Sequence, residues 1–93
     1  MQLIVQKFGG SSVADAERVE NVANIITKTY DQGYNVLAVV SAQGKFTDVL
    51  VDKASEINPK ASRREMDMLL SAGEQISVAL LAIAIEKRGY PVK

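Results

Sequence analysis

Residues 7–13, KFGGSSV, bring a lysine, an aromatic, two glycines and two hydroxyl side chains into one short stretch. Glycines let backbone N–H groups come close to an anion, and lysine supplies the point charge that phosphate needs. A second cluster, Ser41-Ala42-Gln43-Gly44-Lys45, repeats the combination of hydroxyl, glycine and lysine. The chemistry open to the chain is narrow. It has no cysteine and no histidine, so disulfides, thiolates and imidazole catalysis are excluded. Lys, Asp, Glu, Ser, Thr and backbone amides remain. Neither cluster fits the P-loop or the dinucleotide-binding glycine pattern. Two plain turns are the competing reading, with the lysines simply reaching out to water. On residue types alone, the clusters stand as a candidate anion site.

The elements that carry these clusters follow from periodicity. Residues 2–8 form an apolar, β-rich run that reads as a strand, with Leu3, Val5 and Lys7 on one face and Ile4 and Phe8 on the other. From about Val13 to Asp31, apolar residues recur at three- and four-residue steps, which predicts an amphipathic helix capped by Ser11 or Ser12. Asp15 and Glu17 lie near its positive end, and Gly33 ends it. Residues 34–40 read as a second strand, apolar on both faces, as in a parallel sheet covered by helices on each side. Strand, helix, strand in that order implies a right-handed βαβ unit. The glycine clusters then fall at the carboxyl ends of both strands, where open α/β sheets bind ligands.

A short helix is expected over residues 47–56, with a break at Asn58-Pro59. Residues 63–88 read as one long helix, capped by Ser62, or as two segments meeting at Gly73. Its second half, SVALLAIAI, is apolar nearly all round and predicts burial in a core or an interface. Tyr90-Pro91-Val92 looks like the approach to another strand. Asp15, Glu17, Arg18 and Glu20 read as a solvated helix face with no chemistry.

The 93 residues bound the chain to one domain at most, with 47% apolar and 24% charged residues as in a soluble globular protein. Eleven basic and eleven acidic residues cancel, which argues against a nucleic-acid footprint. The longest unbroken apolar run, Val78–Ile85, is too short to span a bilayer, and no basic leader precedes the first strand. A cytoplasmic location without a membrane partner is the expectation.

KFGGSSV resembles the opening signature of the aspartokinases, KFGGTSV, within the amino acid kinase family. VVSAQGKFTD is similar to that family's VVSAMGKTTD, and MDMLLSAGEQIS to its DMLLSTGEQIS helix. The three motifs keep their order and spacing across essentially the whole chain. Ser11 replaces the usual threonine, Gln43 a methionine and Phe46 a threonine; the first two substitutions bear on affinity.

The resemblance implies a three-layer αβα fold with a mainly parallel sheet, of which residues 1–93 would be the N-terminal portion of the catalytic domain. It implies ATP- and Mg²⁺-dependent phosphorylation of the side-chain carboxylate of L-aspartate. The product is β-aspartyl phosphate, at the head of lysine, threonine and methionine synthesis. By the same resemblance, Lys7 would contact the transferring phosphates as the catalytic residue. Phe8, Gly9, Gly10, Ser11 and Ser41 would line the nucleotide, and Thr47 and Glu74 would hold aspartate. No metal ligand is assigned. The family's adenine contacts, its arginine for the α-carboxylate and its regulatory region for lysine or threonine lie later in the chain. The 93 residues alone are therefore expected to be inactive.

Two alternatives stand beside this reading. One is another amino acid kinase, for glutamate, acetylglutamate or a nucleoside monophosphate. The other is a non-catalytic α/β fragment whose long apolar helix self-associates, and a homo-oligomer through residues 74–88 is expected in either case.

Overall fold

The computed structural model describes residues 2–92. Strand β1 (Leu3–Phe8) leads into a short 3-10 turn (Gly10–Val13) and helix α1 (Ala16–Asp31). Strand β2 (Asn35–Val40), helix α2 (Phe46–Ile57) and helix α3 (Arg63–Lys87) follow. The strands pair in parallel with Leu3 opposite Asn35 and Phe8 opposite Val40. Parallel strands need a crossover, and α1 supplies it. The expected βαβ unit followed by helices is the architecture found.

Three local features differ from the sequence reading. Residues 10–13 form their own turn, so neither Ser11 nor Ser12 caps α1. Asp15 does: its backbone is extended and its Oδ1 accepts the Arg18 N–H at 2.9 Å. Asp15 is thus a cap rather than part of a featureless solvated face. Second, α3 runs unbroken through Gly73, starting from a Ser62–Glu65 capping pair in which Ser62 Oγ accepts the Glu65 N–H at 3.4 Å. It stops at Gly89, whose φ of 84° needs a glycine. There the Gly89 N–H donates to Glu86 O at 2.9 Å and the Tyr90 N–H to Ile85 O at 3.4 Å, the paired bonds that close a helix end. Third, Tyr90–Val92 form no strand among the described residues.

The core lies on one side of the sheet. Val19, Val22, Ala23 and Ile26 of α1 bury their stripe with Val40, Leu81 and Ala84, and with Val13 from the turn. Phe8, Val36 and Ala38 complete it from the strands. The other face remains open: Leu3 is 63% exposed, Val5 59% and Leu37 52%. Among the described residues the fold is therefore a two-stranded parallel sheet with helices packed on one face.

Only a stripe of α3 is buried, namely Gly73, Ser77, Leu81 and Ala84. By length and composition α3 suffices to cross a membrane, with an 18-residue window of mean hydropathy 1.8. Leu81 and Ala84 of that stripe pack against α1 and β2 instead, and Gly73 against α2 and the loop after β2. The far end of α3 is tied to α1 by polar side chains. Lys87 Nζ lies 3.4 Å from Glu20 Oε2, and Arg88 Nη2 donates to Glu20 O at 3.1 Å. Glu20 is therefore an anchor between helices, not a spectator on the surface. Tyr90 adds a 2.6 Å hydrogen bond from its hydroxyl to Asp31 Oδ2. That bond raises the Tyr90 pKa above its ordinary 10.0, so the contact holds at neutral pH and is lost only as strongly alkaline pH forms the phenolate.

Candidate active site

Phe8 and Val40 sit side by side at the strand ends, so both glycine loops leave the sheet at one place. The Ser41 N–H donates to Phe8 O at 3.2 Å, carrying the ladder one step into the second loop. Beyond it, the Gly44 N–H donates to Gly10 O at 2.9 Å, which ties loop to loop through backbone alone.

The glycines serve different ends. A Cβ on Gly10 would lie 2.7 Å from Ala42 O, so the second loop can close on the first only if residue 10 has no side chain. Gly44 has φ +43°, a conformation that favours glycine. Gly9 is under neither demand. Its backbone is extended, at φ −75° and ψ 174°, and a Cβ there would meet nothing within 4 Å. The fold does not require a glycine at 9. Space above it lets another molecule approach the backbone.

Among the described residues, the N–H groups of Gly10 and Ser11 donate to no backbone acceptor. Lys7 is exposed on the open face of the sheet, opposite Val39, and has no ion-pair partner among the described residues. Ser11 is exposed and Ser41 half-buried. Phe8 turns its ring into the core, which leaves only its backbone facing the loops.

The third motif reaches the same place through Gly73. A Cβ there would lie 3.2 Å from the Ala42 Cβ, 3.3 Å from Leu50 Cδ1 and 3.5 Å from Phe46 Cδ2. A glycine at this point lets α3, α2 and the second loop touch. Thr47, half-buried beside Phe46, and Glu74, exposed beside Gly73, are carried to the edge of that contact. Glu74 has no ion-pair partner among the described residues.

Two further residues belong to this neighbourhood: Ser77, which the sequence reading passed over, and Arg18, which it placed on a solvated face with no chemistry. Ser77, one turn after Gly73, is 0% exposed and its Oγ has no hydrogen-bond partner. A serine inside SVALLAIAI, four residues from a glycine, was the available signal. Arg18 reaches from α1 to the first loop, where its Nη1 donates to Ser11 O at 2.8 Å. Nothing in its spacing marks that contact.

The profile of the amino acid kinase family matches residues 2–93. The chain belongs to the amino acid kinase family. Within that family it is 53% identical over 90 residues to an aspartokinase of Geobacillus stearothermophilus, covering 97% of this chain and 22% of the relative. It is 57% identical over 89 residues to an aspartokinase of Mycobacterium tuberculosis H37Rv, covering 96% and 21%. The crystal structure of aspartate kinase from Synechocystis superposes with a TM-score of 0.95 at 55% identity, over 98% of this chain and 16% of that one. The chain thus spans about a fifth of the length of the aspartokinases it matches. These likenesses agree with the family resemblance of the three motifs.

Proposed function

We propose that residues 1–93 are the N-terminal portion of the catalytic domain of an aspartate kinase, acting in the cytoplasm on ATP and L-aspartate. The observation that carries this is Gly9. A glycine that neither backbone strain nor packing explains, between an unpaired lysine and two free amides, fits the close approach of a phosphate chain. Lys7 offsets the charge that grows on the transferring phosphoryl group. The amides of Gly9, Gly10 and Ser11 and the Ser11 hydroxyl face the phosphates, with the Phe8 backbone and Ser41 behind them. Thr47 and Glu74 hold aspartate, the Glu74 carboxylate opposing the α-ammonium.

An aspartate carboxylate oxygen attacks the γ-phosphorus, the bond to the β–γ bridging oxygen breaks, and ADP leaves with that electron pair. The nucleophile is already ionised at neutral pH and no proton moves, so the absence of histidine costs nothing. Positioning and charge neutralisation supply the catalysis. Among the described residues no cluster of His, Cys, Asp or Glu could cage a metal ion. Mg²⁺ needs only one or two carboxylates beside the nucleotide phosphates, so it would enter with ATP and neutralise phosphate charge there.

The test is a chimera that joins residues 1–93 to the remainder of the Geobacillus stearothermophilus aspartokinase, assayed by trapping the acyl phosphate with hydroxylamine. Aspartate-dependent hydroxamate is expected from the chimera and none from the 93 residues alone, where the nucleotide pocket is incomplete. A folded chimera without that activity would overturn the reading. Val78 and Ile83 of α3, 55% and 60% exposed, further support self-association of the chain. A clean monomer in sedimentation at micromolar concentration would sink that part.

A further inference from the structure

We infer that Arg18 is a positioning residue for the Gly9–Ser12 turn, acting through the carbonyl of Ser11. This rests on the reading of that turn as the phosphate cradle. The peptide between Ser11 and Ser12 is planar, so fixing its two ends fixes its orientation. One end is the Ser12 N–H, which donates to Gly9 O at 3.0 Å. The other is Ser11 O, which accepts from Arg18 Nη1 at 2.8 Å. The preceding carbonyl, Gly10 O, is held by Gly44 N–H at 2.9 Å, and Val13 beyond is fully buried. Arg18 holds the Ser11 carbonyl, which lies between those two anchors.

Arg18 is itself placed from below. Asp15 caps α1 by accepting the Arg18 N–H at 2.9 Å, and its other oxygen lies 3.9 Å from Arg18 Nε. The two side chains are 54% and 61% exposed, so this ion pair does little for stability. What it does is aim the guanidinium. The planar fork can face the carboxylate with Nε while Nη1 faces Ser11, a geometry that the single ammonium of lysine cannot reproduce. The cap of α1 and the shape of the glycine turn are thereby coupled through one side chain. Glu17, next in sequence, makes no such contact among the described residues and serves as the control.

Two measurements test the inference. In the 93-residue chain, R18M should speed amide exchange of Ser12 about tenfold, the loss of one charge-assisted hydrogen bond, while Leu81 exchange stays unchanged. In the chimera, R18M should raise KM for ATP by a similar factor with KM for aspartate held within about twofold, and R18K should recover part of the loss. E17Q should do neither. Unchanged Ser12 exchange in R18M would overturn the inference. So would acceleration of Ser12 and Leu81 alike, or a parallel rise in both KM values, since each describes a general loss of structure. Should the wild-type chimera not use ATP, the kinase reading falls, and Ser12 exchange alone still decides whether Arg18 holds the turn.

Discussion

The last turns of α3 and the whole of α2 are helices of the same chain with opposite relations to the core. The former bury Ser77, Leu81 and Ala84 and are tied to α1 by Lys87 and Arg88. The latter buries no residue and leans on α3 where Phe46 and Leu50 meet Gly73. The first turns of α3 bury nothing either, so α2 and the start of α3 form an arm beside a packed body. The overall extents of 48 × 25 × 17 Å reflect it. The proposed phosphate-facing residues Lys7, Gly9, Gly10 and Ser11 stand on the body. The proposed aspartate-facing residues Thr47 and Glu74 stand where the arm begins. A group that must neutralise charge in a transition state needs a rigid mount. One that admits and releases a small substrate can sit on an element with little buried surface.

The sharpest break of the comparison is in stability. Leu81→Ala should cost about 2–5 kcal/mol by leaving a cavity against α1, read from the urea midpoint. If it costs no more than an arm substitution, the body is not the anchored half. Next is the phosphate side. Lys7→Ala in the chimera should lower kcat by about 10²–10³, or roughly 2.7–4 kcal/mol, with KM for aspartate little changed. An unaltered kcat would make Lys7 a solvated surface lysine.

The arm side should answer differently. Glu74→Gln should weaken aspartate by roughly 1.5–3 kcal/mol, as expected for a charge-assisted contact, with KM for ATP unmoved. Equal effects on both substrates would erase the division between body and arm. The two adjacent glycines sharpen it further. Gly10→Ala should cost about 1–3 kcal/mol of stability, because its Cβ meets Ala42 O at 2.7 Å. Gly9→Ala should leave stability unchanged and reduce activity alone. The smallest effect belongs to the arm: Val49→Ala, at a position 43% exposed, should shift stability by less than about 0.5 kcal/mol.

Much of this was legible in the chain. Alternation in LIVQKF and the three- and four-residue steps of α1 specify a strand and an amphipathic helix, since each period fixes which side chains share a face. Strand–helix–strand order then implies the parallel pairing, and the three motifs imply the family. The cap of α1 was harder to read. Ser11, Ser12 and Asp15 all suit that role chemically, and the choice fell to Asp15 because Val13 is drawn into the core and spends residues 10–13 on a separate turn.

Sequence by itself determined the two strands, the crossover helix between them, their order and the chemical types gathered at the strand ends, because those depend on local periodicity and side-chain identity. Only the tertiary structure decided what each glycine is for. Gly9, Gly10 and Gly73 are identical in sequence terms, yet one faces open space, one faces Ala42 O and one receives Phe46 and Leu50. The same holds for Arg18 and Glu20, which read as solvent-facing charges and turn out to contact Ser11 and Arg88. A residue's partners from distant parts of the chain are set by how helices and loops pack in three dimensions. No local pattern encodes that distance.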